Sequence, residues 1–157
     1  MSFPEKVYTS KELKTARTLV TQGYKHNLNV EGKHEFVNKV KEALDYIKTA
    51  GYFDYLQTYI RNITEIDGMT QLRQTEVAIW ANKFAVDNPV DAASLFIQKA
   101  YSMQEYIAGK MYYGGPAEKR SIAKRIEFLQ ALKEKTTDRS VKEECERLLG
   151  LWNDSSL

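Results

Sequence analysis

Apolar residues recur every three or four positions along most of this chain, a spacing that predicts amphipathic helices rather than strands. The clearest helix spans residues 88–116. Asn88 suits an N-cap, Pro89 suits the first helical position, and Asp91 puts a carboxylate in the first turn, where free amides favour it. Phe96, Ala100, Met103, Ile107 and Met111 line one face, and Gly114-Gly115 ends the helix before Pro116 opens the next.

Six further helices follow from the same pattern. The first starts at a Ser10 cap with Leu13, Ala16, Val20 and Tyr24 on one face, and the polar stretch 26–33 breaks it. The second, 34–50, buries Phe36, Val40, Ala43, Leu44 and Ile47 and stops at Gly51; the third, 52–63, turns Phe53, Leu56, Ile60 and Ile63 inward. After an Asp67-Gly68 turn, segments 70–86, 116–135 and 139–152 complete the set, the last capped from Thr136-Thr137-Asp138. No stretch shows sustained period-two alternation rich in β-branched residues, so no sheet is expected. The expected architecture is all-α: one domain over 1–157, a compact bundle of about seven helices with antiparallel neighbours, frayed near 1–8 and 153–157.

Composition sets limits on location and partners. With 157 residues, 43% hydrophobic and 28% charged, the chain suits one globular domain. No apolar run approaches a membrane span, the first residues lack a signal-peptide core, and Cys145 is the one cysteine, so a cytoplasmic protein is expected. Net charge is only +2, but its distribution is uneven. Residues 6–48 carry nine basic and five acidic side chains, and residues 119–142 carry eight basic and three acidic. These two basic bands flank an acidic middle.

The search for chemistry is largely negative. His26 and His34 sit in or beside the polar break and are expected to be solvated; Glu31 and His34 have the E-x-x-H spacing of di-iron helices, but once only and across Gly32. The carboxylates of Glu143, Glu144 and Glu146 disfavour a Cys145 thiolate. No glycine-rich phosphate loop or nucleophile elbow occurs. At 114–120, Pro116 removes a donor and Glu118 adds negative charge, so a helix boundary explains that segment better than an anion site. No catalytic, cofactor-binding or metal-binding residue is therefore assigned, and no cofactor or small-molecule substrate is indicated. One carboxylate stands out. On the 70–86 helix, Glu76 and Lys83 lie between a Val77/Trp80/Ala81/Phe84 stripe and a Leu72/Ile79/Val86 stripe. Glu76 is expected to be partly buried and to need Arg73 or Lys83 as its cation.

Ten tyrosines are the unusual element of composition. Tyr52, Tyr55 and Tyr59 form a row displaced from the apolar face of the third helix. Tyr101 and Tyr112, with Ser94 and Glu105, lie on the side of the 88–116 helix away from its apolar stripe. Such rows suit a contact surface. The leading expectation is thus a non-enzymatic interaction or scaffold protein, recognising a protein partner or a second copy of itself as a homodimer. The alternative is a small nucleic-acid-binding subunit, with bands 6–48 and 119–142 meeting phosphates through Lys119, Arg120 and Lys124 and the tyrosines stacking on bases.

Overall fold

The computed structural model of the chain describes residues 1–155, with side chains through residue 153. Its elements run α1 (Ser10–Thr21), β1 (Asn29–Glu31), α2 (His34–Ala50), α3 (Phe53–Tyr59), β2 (Asn62–Ile66), β3 (Gln71–Arg73), β4 (Ala78–Asn82), α4 (Pro89–Ile107), α5 (Gly115–Lys135) and α6 (Arg139–Ser155). Short 3-10 turns at Gln74–Glu76 and Lys83–Val86 flank β4. The four strands form one mixed sheet in the order β1-β2-β4-β3, with β1, β2 and β4 parallel and β3 antiparallel to β4.

This sheet overturns the expectation of an all-α bundle of seven helices. The segment read as a fourth helix is a hairpin-like pair of strands joined by a 3-10 turn. Leu72 and Ile79, spaced like heptad positions, are instead register partners across β3 and β4. Val30, Ile63, Ile79 and Leu72 make one continuous row through the four strands, and Ile63 and Ile79 are fully buried. The opposite face carries Glu31, Thr64, Trp80 and Gln71, with the Arg73 guanidinium 4.2 Å above the Trp80 ring. Trp80 and Phe84 therefore leave the core assigned to them, and Phe84 is 68% exposed. The third helix is also shorter than expected. It ends at Tyr59, and Ile63 is buried from strand β2.

The helices cover one face of the sheet. Phe36, Val40, Ala43 and Ile47 of α2 meet Phe96, Ile97, Ala100 and Met103 of α4, and Phe128, Leu129 and Leu132 bring in α5. Val141, Cys145 and Leu148 of α6 close the core from the far side of α5. Local signals fix the helix ends. Thr9, rather than Ser10, caps α1 in a reciprocal pair with Glu12. Gly51, at φ 81°, ends α2 in the left-handed conformation while the Tyr52 amide donates back to the Ile47 carbonyl. Gly32 serves a different need: a Cβ there would lie 2.7 Å from Phe36 Cδ1 and 2.8 Å from Glu65 Cβ, so only glycine admits this approach of β1 to its neighbours.

Residues 3–8, read from the sequence as a fraying end, form an extended strap. Arg61 donates to the Pro4 and Glu5 carbonyls, Lys6 pairs with Glu76, the Val7 amide donates to Thr75, and the Tyr106 hydroxyl donates to the Val7 carbonyl. Residues 156–157 of the other expected frayed end lie outside the described residues. No helix among the described residues is long and apolar enough to cross a membrane.

Candidate functional site

Helix α4 begins as its sequence dictates. The Asn88 side chain accepts from the Val90 and Asp91 amides, and Pro89 occupies the first turn. It stops at Ile107, so Met111 lies outside it and is 65% exposed instead of buried in the apolar stripe. The loop 108–114 then turns through Gly109, at φ 76°, into α5. This early stop opens a space between the two helices.

The seam between α4 and α5 is polar and organised by Arg125, which is 5% exposed. Its guanidinium donates to Ser94 Oγ at 2.8 Å, Gln98 Oε1 at 2.8 Å and Asp91 Oδ1 at 2.7 Å, and its planar group lies 4.4 Å from the Trp152 ring centroid. Gln98 passes the network on by donating to Ser121 Oγ at 3.1 Å, and the Ser121 hydroxyl donates to the Glu118 carbonyl at 2.8 Å. Every one of these groups is occupied by another.

Beside this seam lies a cleft of about 220 Å³, lined by Gln98, Lys99, Ser102, Tyr112, Tyr113, Gly114, Glu118 and Ser121. Lys99 is the exception within it. Its ammonium is partly buried and makes neither a hydrogen bond nor an ion pair among the described residues. Burial, followed by the positive charge of Arg125, holds its pKa below the ordinary lysine value, and Glu118 offsets this only in part. Glu118 is exposed in the first turn of α5, where the helix dipole accommodates a carboxylate. Tyr112 forms a wall of the cleft: its hydroxyl accepts from Gln74 Nε2 at 2.7 Å and its ring meets Tyr106 and Tyr113 edge to face. Tyr113, also lining the cleft, is 64% exposed. Chemically, the cleft sets a partly desolvated ammonium and the Glu118 carboxylate beside the rings of Tyr112 and Tyr113.

The residues singled out from sequence fall into separate places. Tyr52, Tyr55 and Tyr59 do form a row with Tyr101, Arg120 and Lys124 nearby. Two of its three hydroxyls are bonded internally: Tyr52 donates to Glu127 at 2.6 Å and Tyr55 donates to Gln104 at 2.6 Å, and Lys124 sits 4.9 Å from the Tyr55 ring while pairing with Glu127 at 2.9 Å. Burial raises the hydroxyl pKa of Tyr52, Tyr55 and Tyr59. Ser94 and Glu105 are buried under α5, where Glu105 accepts from Arg120 at 2.9 Å. Tyr112 alone of that set reaches the cleft. Lys119 is exposed on α5. Glu76, in the 3-10 turn before β4, is one-third exposed and takes Lys6 as its cation rather than Arg73 or Lys83. The two basic bands differ: in 119–142 Arg120, Lys124, Arg125, Lys133 and Arg139 each pair with a carboxylate, whereas in 6–48 the ion pairs are those of Lys6 with Glu76 and Lys39 with Asp87 and Glu35.

His26 departs furthest from expectation. Read as solvated, it is 2% exposed, packed between Phe3 and Tyr24, with Nε2 buried and unpartnered. Among the described residues no group of three or more His, Cys, Asp and Glu side chains is placed to hold a metal ion. Comparison of the chain with protein-family models, with curated proteins and with solved structures finds no match in any of the three.

Lys99 itself escaped the sequence reading, although a signal was there. It lies three residues after Phe96 and four before Met103, both fully buried, so a charge stands against the core stripe of a long helix. A lysine in that position must snorkel, find a counter-ion, or wait for one.

Proposed function

We propose that this chain is a non-enzymatic recognition protein that binds an acidic, aromatic-containing segment of a protein partner in the α4–α5 cleft. The observation that carries this reading is Lys99, a partly buried ammonium that bonds to no carboxylate among the described residues, with Glu118 of the same cleft acting on it only at a distance, while Gln98 and Ser121 beside it are engaged with one another. A carboxylate entering the cleft would regain for Lys99 the charge partner that burial has cost it, and charge-assisted hydrogen bonds are the stronger kind. The exposed Tyr113 supplies an aromatic surface of the kind that interface cores favour. A peptide presents both features at once, which is why a protein partner fits better than a simple anion. The free buried thiol of Cys145 supports a cytoplasmic setting for this activity.

The nucleic-acid alternative has weaker support. Arg120 and Lys124 already hold carboxylates, and a phosphate would have to displace Glu105 and Glu127 to reach them. The recognition reading is tested by selecting a random-peptide display library on the wild-type chain, with Lys99→Met as the counter-selection. Enriched sequences are expected to place Asp or Glu next to an aromatic residue and to lose binding to Lys99→Met by tenfold or more. Enrichment that is equal on the two proteins, or none at all, contradicts the proposal.

A further inference from the structure

We propose that His26 is an acid-sensitive pin that holds the N-terminal strap, residues 3–8, against the body of the protein. The geometry carries the idea, and it is independent of what the cleft binds. Phe3 is the strap's anchor: its ring stacks on Tyr24 at 5.1 Å and meets the His26 ring edge-on at 4.4 Å. The His26 backbone is fixed to α3, its amide donating to the Gln57 carbonyl at 2.8 Å, so the ring cannot easily leave its place. Its Nε2 is buried with no acceptor in reach. A proton placed on that nitrogen would have neither water nor a carboxylate to stabilise it.

The surroundings make matters worse for the charged form. The charge that acts on His26 is Arg61, of the same sign, from the turn between α3 and β2. Tyr24, from the segment after α1, is the titratable ring against it, and the strap contributes the Phe3 ring. The strap's own charges are Glu5 and Lys6, of which Lys6 is engaged by Glu76, and Arg61 is the one charge that shifts His26. Arg61 also donates to the strap carbonyls of Pro4 and Glu5, so a cationic His26 would repel the group that ties the strap down. Lifting Phe3 exposes the imidazole to water and relieves both penalties. The strap in turn holds Tyr106 through the Val7 carbonyl at 2.6 Å, and the Tyr106 ring packs on Tyr112, a wall of the cleft. Release of the strap removes a brace from that wall.

Burial and Arg61 hold the His26 pKa at about 4 in the closed state, against 6.5 when exposed. The sign follows from linkage: the open state binds more protons between these values, so closure is complete above pH 6.5 and weakens as pH falls towards 4. At pH 5 the opening constant should be roughly 30 times its value at pH 7.5. The Val7 amide, which donates to Thr75 at 2.9 Å beneath a fully buried side chain, reports opening. Hydrogen exchange at that amide, read by NMR on the whole chain and corrected for intrinsic rates, should lose about 30-fold in protection between pH 7.5 and 5. His26→Phe, which keeps a ring and removes the titration, should abolish the change. Phe3→Ala, a substitution on the strap rather than in the core, should give low Val7 protection already at pH 7.5. A wild-type protection factor independent of pH overturns the proposal, as does an equal loss in His26→Phe or unchanged Val7 protection in Phe3→Ala.

Discussion

Arg125→Met should destabilise the fold by about 3 kcal/mol, read as a shift in the urea midpoint without change in slope. Methionine fills a similar volume, so the loss measures chemistry rather than a cavity. The Ser94 hydroxyl would lose its bond from Arg125 in a fully buried position, Gln98 would lose one orienting partner, and Asp91 would lose its cation. Removing one member of a buried ion pair costs more than the pair itself contributes, because the groups left behind cannot reach water. Asp91 is 36% exposed, which places the value at the lower end of the range for such pairs. Adding Asp91→Asn to Arg125→Met should recover part of the loss, and the double-mutant cycle gives the coupling. A loss under about 1 kcal/mol would show that the α4–α5 seam does not depend on this guanidinium.

The second large effect separates the strand from the helix in residues 71–84. Ile79→Ala should cost about 2–5 kcal/mol, since Ile79 is fully buried between register partners Ile63 and Leu72. Phe84→Ala should cost well under about 1 kcal/mol, because the ring is 68% exposed in the 3-10 turn after β4. A helix over this segment makes the opposite forecast for Phe84, which then lies on the core stripe with Trp80. Thermal or urea unfolding of the two variants distinguishes the cases without further structural work.

That contrast shows where the sequence was legible. The α4 segment declared itself because 19 residues repeat one apolar stripe between recognisable ends, and Asn88, Pro89, Phe96, Ala100 and Met103 all behave as their spacing implies. The strands gave no such run. β1 and β3 are three residues long, with Val30 and Leu72 as their single apolar members, too short for period-two alternation to register. The seven-residue step from Leu72 to Ile79 imitates a heptad only because the intervening turn returns the chain to the same register. Burial that depends on distant partners was hidden as well. His26 is covered by Phe3, and Glu76 meets Lys6, contacts that no local pattern encodes. The rings of Tyr52, Tyr55 and Tyr59 meet edge to face, but the hydroxyls of Tyr52 and Tyr55 bond to Glu127 and Gln104 from other helices, and only the folded chain reveals those partners.

The candidate site follows the same logic. Its α5 side was readable, since Gly114 and Pro116 mark the start of α5, but Tyr112 and Tyr113 lie in a 108–114 loop that the apolar pattern reads as helix. Its chemistry was not, because the burial of Lys99 and its lack of a bonded carboxylate among the described residues are properties of the packed molecule.

Titrating the Lys99 side chain decides whether its ammonium is a desolvated charge bonded to no carboxylate. Lysine labelled at the ε-carbon, with Lys99→Met to assign the resonance, allows its midpoint to be followed by NMR in the free chain. Its midpoint should lie below the ordinary lysine value of about 10.4, while that of Lys39, bonded to Asp87 at 2.6 Å, should lie above it. A Lys99 midpoint at or above that ordinary value would mean that the ammonium is solvated or already paired, and would contradict the account.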